Sequence, residues 1–274
     1  MSDDQDGQAA RSFPPLPERL PVDVLDSHCH LDIVETPVEE QLAAAKAAGV
    51  TRIVTIGCDL PSSRFAVDTA AEFDDVYAAV AIHPNETAGI SRAVLDDIAA
   101  MAAHPKVRAI GETGLDYYRD RAGQDDQHTA FRAHVDIAKR TGKALVIHDR
   151  EAHDDVLAIL LEEGAPEKVV FHCFSGDERM AAVCAERGYV MSFAGNVTFK
   201  NADPLRAALK AAPLDLVLVE TDAPFLTPVP HRGKPNASYL IPHTVRAMAE
   251  IKGVDVAELC TAIAANGERV FGPW

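Results

Sequence analysis

The sequence predicts a (β/α)8 TIM barrel, a single domain of the α/β class, and three observations carry that expectation. Eight short runs rich in Val, Ile and Ala recur along the chain, segments of helical spacing separate them, and no linker-like stretch breaks the alternation after residue 21. Such alternation implies a parallel sheet, and eight units in about 250 residues is the count of a closed barrel. A doubly wound open sheet is the competing arrangement.

The apolar runs are, in order, VLDSH (24–28), RIVTIG (52–57), YAAVAI (77–82), VRAIG (107–111), ALVIH (144–148), KVVFH (168–172), YVMSF (189–193) and LVLVETD (216–222). Each is short and apolar, as a buried strand should be. Between them lie VEEQLAAAKAAG, SSRFAVDTAAEF, SRAVLDDIAAMAAH, QDDQHTAFRAHVDIAKRTG, DDVLAILLEEG, DERMAAVCAERG and DPLRAALKAA. These are good helix formers, and several open on Ser or Asp and close on Gly, the expected cap chemistry. Two further helical segments, around 240–251 and 255–265, are expected to pack outside the barrel.

The opening MSDDQDGQAARSFPPLPERL is acidic and then proline-rich, with no basic start and no apolar core of a signal segment. Residues 1–21 therefore read as a disordered tail and 22–274 as the barrel domain of a cytoplasmic protein. No apolar run is long enough for a transmembrane helix, so no membrane partner is expected, and a monomer is favoured. Cys29, Cys58, Cys173, Cys184 and Cys260 are odd in number, scattered and without a CxxC pair, so reduced thiols are the default. The net charge of −16 argues against a surface coated with basic patches for long stretches of nucleic acid. It leaves the local sign inside one cleft open.

In a barrel of this class the active site lies at the C-terminal ends of the strands. Strand side chains alternate faces, so His28 and His30 of DSHCHLD point one way and Cys29 the other. Two imidazoles at a strand mouth can share a metal ion, or they can be a hydrogen-bonded core pair. The fourth run ends in Glu112, the fifth in His148, the sixth in His172 and the eighth in Asp222. Six residues of metal-ligand type at equivalent places on five strands favour a metal centre over six separate structural roles. They are too many for one tetrahedral ion with an open position and suit two divalent ions sharing a bridging carboxylate. The mixture of imidazole and carboxylate favours Zn, Mn or Co, whereas Mg is more at home among oxygens alone. The reaction class is then metal-assisted hydrolysis.

Basic residues follow several of the same strand ends: Arg119, Arg150, Lys200, and Arg232 with Lys234. They are candidate substrate contacts for phosphates, although Arg150 has Asp149 and Glu151 beside it and Arg119 has Asp120. His83, at the end of the third run, points to the mouth as a further substrate contact, and His231 is similar. Tyr117 and Tyr118 either stack on a base or pack against the rim. His104, His128, His134 and His243 are read as having no role. Asp26 and Glu220 share the parity of the ligands one layer down and are candidates to orient them.

The motifs DSHCHLD, GETGLDYY, VIHDRE, HCFSG, VTFKNA, ETDAPFLTPVPHRGK and NGERVFG together resemble the TatD family of metal-dependent deoxyribonucleases, from about residue 23 to 272. That resemblance implies an amidohydrolase-type TIM barrel that hydrolyses DNA phosphodiesters, often as a 3′-5′ exonuclease on single strands or ends, with Mg or a similar divalent ion. It further implies that His28, His30 and Asp222 hold one ion, that His148 and His172 hold the other, and that Glu112 bridges them. Asp222 would also orient or deprotonate the nucleophilic water. Two positions depart from the family pattern. Thr113 stands where Ile is usual, and HRGKPNASY stands where RGKRNEP is common, so Pro235 replaces a basic residue and Ala237 with Ser238 replaces a Glu-Pro pair. The second departure weakens a phosphate-binding role for that loop and leaves the ligands untouched. The alternative reading is a small-molecule hydrolase acting on an amide, ester or lactone with the same ions, because barrel and metals do not fix the substrate. A non-catalytic binding protein is disfavoured, since no ligand position is lost.

Overall fold

The computed structural model describes residues 12–119 and 121–273. Its strands are β1 (Val24–Cys29), β2 (Val50–Ile56), β3 (Val76–Val80), β4 (Val107–Asp116), β5 (Ala144–Arg150), β6 (Val169–Phe171), β7 (Val190–Phe193) and β8 (Val217–Val219). All eight expected runs are present, and they pair in parallel in sequence order. A bridge between Cys29 and Ala223 joins the last strand end to the first, so the sheet curls into a barrel with no long free edge. Helices α1 (Val38–Ala47), α2 (Leu60–Glu72), α3 (Arg92–Met101), α4 (Gln124–Thr141), α5 (His153–Glu163), α6 (Glu178–Arg187) and α7 (Asp203–Ala211) fill the crossovers. After β8 come α8 (Ile241–Lys252) and α9 (Val256–Phe271), close to the two segments expected there.

The cap chemistry explains where these helices start. Asp59 accepts from Ser62 N at 2.8 Å while the Ser62 hydroxyl accepts from Asp59 N, and Asp177 accepts from Met180 N at 3.0 Å. Every residue of β1, β3, β6, β7 and β8 is buried, which is why β3, β6 and β8 are apolar on both faces, while β1 also buries the polar Asp26, Ser27 and His28.

Two features differ from the sequence reading. The first is the length of the fourth strand, which continues five residues beyond Gly111 to Asp116, with its register against β5 shifted between Ile110 and Thr113. Gly114 makes this extension fit. Its φ is +140°, and a Cβ there would lie 2.1 Å from the His148 carbonyl oxygen. Gly114→Ala is therefore expected to cost on the order of 3 kcal/mol by urea titration. An unchanged midpoint would show that β4 and β5 part freely at this point.

The second is the tail. Residues 12–21 fall within the segment expected to be disordered, yet the chain is held at several points from Pro14 onward. Pro14 is buried and its carbonyl accepts from the Tyr239 hydroxyl, Arg246 donates to the Glu18 carbonyl at 2.9 Å, and Leu20 is buried with its N–H on Ala48 O at 3.1 Å. The proline-rich stretch has little backbone entropy to lose, so a few nonlocal contacts suffice to order it. The rest of the expected tail, residues 1–11, lies outside the described residues. Among the described residues no helix is long and apolar enough to cross a membrane.

Candidate metal centre

The strand ends deliver the candidate ligands to one place. His28 is the last residue but one of β1 and His30 lies just beyond it, and the His30 N–H donates to Ala223 O at 2.9 Å while the Asp222 N–H donates to His28 O at 2.9 Å. These two bonds tie the segment after β8 to the mouth of β1. Beneath them buried Asp26 accepts from Thr221 N at 2.9 Å and from the Thr221 hydroxyl. Asp222 itself takes a left-handed backbone conformation, φ +54°, which aims its carboxylate across at the two histidines.

Glu112, on the extended part of β4, sits at the centre. Its Oε1 lies 2.6 Å from His148 Nδ1, 2.8 Å from His172 Nε2 and 3.5 Å from His83 Nε2. Its Oε2 lies 3.4 Å from His28 Nε2 and 4.0 Å from His30 Nε2. Asp222 Oδ1 completes the set at 3.5 Å from His30 Nε2 and 3.8 Å from His28 Nε2. The six expected residues thus converge. Their donor atoms fall into overlapping groups within 4.8 Å: His28, His30 and Asp222; His28, His172 and Glu220; His83, Glu112 and His148; and His30, Cys58 and Glu112.

The electrostatics follow from burial and from this crowding. Burial pushes the Glu112 carboxyl up, but His172, His83 and His148 outweigh it and hold the group well below the usual range. Burial pushes His172 down, but Glu112 and Glu220 outweigh it and raise the imidazole well above its ordinary value. His28 is different, because burial and the neighbouring His172 together hold it low. It is fully buried, its ring stacks on His172 with centroids 3.8 Å apart, and neither of its ring nitrogens has a hydrogen-bond partner. The nearest acceptor, Glu112 Oε2, lies 3.4 Å from its Nε2. A buried imidazole left unpaired is costly, and among carboxylates and other imidazoles its lone pair fits a divalent cation. The donor set therefore fits the two-ion expectation.

Several neighbours position the cluster. Glu220 Oε1 accepts from His172 Nδ1 at 3.1 Å and from Cys173 N at 2.7 Å, the orienting contact its parity foretold. Asp26, by contrast, reaches only the backbone N–H of His28, at 3.3 Å, and not a ligand side chain. His83 lies in the cluster itself. Its Nδ1 accepts from Asn85 N at 3.1 Å, so its proton sits on Nε2 and faces Glu112.

Two residues in the centre escaped the sequence reading. Asp116 accepts from His148 Nε2 at 3.1 Å and from Asn85 Nδ2 at 3.1 Å. The signal was present, since 112, 114 and 116 share one face of a strand, but only once β4 is known to run that far. Cys58 follows the end of β2, with its Sγ 3.7 Å from Glu112 Oε2 and 3.9 Å from His30 Nδ1. It was counted as a scattered thiol, although it too follows a strand end. Cys29 does turn away, donating to Val54 O.

The expected substrate contacts lie on the rim. Arg150 does not pair with its acidic neighbours. Asp149 is taken by His153 Nδ1 at 2.7 Å, and Arg150 lies over the Tyr118 ring at 3.9 Å. Arg232 lies over Phe199 at 3.8 Å, and Lys200 and Arg119 are exposed. Tyr118 is exposed, whereas Tyr117 hydrogen-bonds His128 and Asp155 at the rim. Asp120 lies outside the described residues. His134 is a buried structural residue, bonded to Thr113 at 2.8 Å.

The carboxyl shifts set a pH dependence. Burial raises Asp116, but His148, the Arg119 N–H and Asn85 outweigh it and hold it below its ordinary value. A depressed carboxyl contributes stability above its unfolded pKa and loses that contribution as pH falls toward the folded value. The metal-free chain is therefore expected to lose melting temperature as pH falls below about 4.5, and Asp116→Asn to lose less over the same range. Parallel curves for the two proteins would remove Asp116 from this role.

Comparison with known proteins agrees with the geometry. The sequence matches the family described as TatD related DNase over residues 25–272. It is 44% identical over 259 residues to a Mycobacterium tuberculosis protein described as an uncharacterized metal-dependent hydrolase, TatD, covering 91% of this chain and 98% of that one. It is 39% identical over 252 residues to the Bacillus subtilis metal-dependent hydrolase YabD, covering 90% of this chain and 98% of the relative. Among solved structures, the TatD homologue YJJV of Escherichia coli K12 superposes with a TM-score of 0.87 at 26% identity, covering 92% of this chain and 98% of its own. With the barrel, the strand-end cluster and a sequence match over nearly its whole length, the chain belongs to the TatD-related DNase family.

Proposed function

We propose that this protein is a divalent-metal-dependent hydrolase that cleaves DNA phosphodiester bonds, acting on single strands or ends in the 3′-5′ direction. One observation carries the reading: a single carboxylate, Glu112, has ring nitrogens of His28, His30, His83, His148 and His172 within 4.0 Å. His28, His30 and Asp222 would hold one ion, His148 and His172 the other, and Glu112 both. When bound, such ions lower the pKa of water toward about 7 and neutralise charge on the phosphoryl oxygens.

The remaining work falls to this chain's side chains. Burial raises Asp222, but the His30 hydrogen bond and the neighbouring imidazoles outweigh it and keep the carboxylate ionised, ready to accept the proton of the attacking water. His83, whose Nε2 lies 3.5 Å from Glu112 Oε1, would offer that N–H to a substrate oxygen at the same place. Glu220 and Asp116 fix the rings of His172 and His148, so the ligand geometry is set before substrate arrives. Arg119, Arg150, Lys200 and Arg232 take the flanking phosphates.

The test is metal analysis of the purified protein together with digestion of oligodeoxynucleotides in Mg, Mn, Co and Zn. Cleavage is expected with at least one of these ions and none after EDTA. Salt-insensitive turnover of esters or amides without DNA cleavage would replace this reading with the small-molecule hydrolase.

A further inference from the structure

The loops after β7 and β8 enclose a groove made of two adjoining cavities of about 450 and 310 Å³, with Phe199 and Arg232 lining both. Lys200 lines the larger of the two and Lys234 the smaller, and no lining residue is acidic. On a chain with 42 acidic and 26 basic residues, three cations without one acid are a marked local reversal of sign. Among the described residues none of the three forms an ion pair. The Arg232 guanidinium lies 3.8 Å over the Phe199 ring. Stacking occupies one face of the guanidinium and fixes its plane, which leaves its in-plane N–H groups and its other face available. Its wall continues from the segments that carry the metal centre: Pro224 follows Asp222 by two residues, and Ser175 follows His172 by three. Asn196 also lines it and carries a buried Oδ1 with no hydrogen-bond partner.

We propose that this groove is a two-nucleotide subsite for one DNA strand, with Lys200, Arg232 and Lys234 on its phosphates and a base stacked on the free face of Arg232. The proposal rests on the nuclease reading above and says where the body of the strand lies. A base that continues the Phe199–Arg232 stack must be free of its partner, so the subsite selects single strands over duplex.

The experiment compares the wild-type chain with Lys200→Ala, Arg232→Ala, Arg232→Lys and Lys234→Ala, all at exposed positions. Binding of labelled oligothymidylates of one to six nucleotides is followed by fluorescence anisotropy in EDTA, alongside KM and kcat for cleavage of the same oligomers. Each alanine variant is expected to weaken the hexamer about tenfold and leave the mononucleotide unchanged. Each should raise KM more than it lowers kcat, and reduce the slope of log K against log salt by about 0.7. Arg232→Lys should keep that slope but not the full affinity, because charge survives and the stack does not. Wild-type cleavage with hexamer affinity, KM and salt slope unchanged in all three alanine variants would overturn the subsite alone. Equal reliance of duplex binding on these residues would overturn the single-strand preference. A wild-type protein that neither binds nor cleaves any oligonucleotide would remove the nuclease reading and the subsite with it.

Discussion

Glu112→Gln is expected to lower kcat for oligonucleotide cleavage by about a thousandfold or more and to reduce the bound metal from two ions to at most one. Glutamine keeps the shape but loses the charge, and its amide places donor hydrogens where the native oxygens face imidazole nitrogens. Glu112 offers one oxygen to each half of the cluster, with Oε1 at 2.6 and 2.8 Å from His148 and His172 and Oε2 at 3.4 Å from His28. Steady-state kinetics and metal analysis by mass spectrometry check both parts. A variant with two ions and activity within tenfold of wild type would show that the negative charge of Glu112 does not hold the pair together.

Asp222→Asn is expected to reduce kcat by about a hundred- to ten-thousandfold with little change in melting temperature. Asparagine tolerates the left-handed backbone that Asp222 adopts, φ +54°, so its N–H bond to His28 O at 2.9 Å should survive. What disappears is an ionised oxygen 3.5 Å from His30 and the capacity to accept a proton from water. Because the fold is spared, the loss reads on chemistry rather than on assembly of the barrel. Retention of more than a tenth of wild-type kcat would take Asp222 out of proton transfer.

The part of this centre that was legible in the sequence was legible for one reason. A strand alternates its side chains and a parallel barrel gathers its strand ends, so residue type and parity at eight short runs suffice to nominate His28, His30, Glu112, His148, His172 and Asp222. Asp116 was hidden because the run VRAIG seemed to end the fourth strand, whereas β4 continues through Gly114, whose missing Cβ lets it lie against the His148 carbonyl. The ion pairs nominated from adjacency did not form for Arg150, since Asp149 is claimed by His153 at the start of α5 and Tyr118 offers its ring instead. Residues 12–21 look disordered by composition and are ordered by partners more than 25 positions away, such as Ala48 and Tyr239.

Periodicities that extend over a few residues are enough to specify the barrel, the order of its strands and the side chains at its strand ends. Assembly of the whole barrel was needed to bring five imidazoles within 4.0 Å of one carboxylate, to leave both ring nitrogens of His28 without hydrogen-bond partners, and to line one groove with three cations. These depend on contacts between segments far apart in the chain, as between His172 and Glu220 or Asp26 and Thr221, separated by 48 and 195 residues. Local pattern fixes which way a side chain points. Packing of the whole barrel fixes what it meets there.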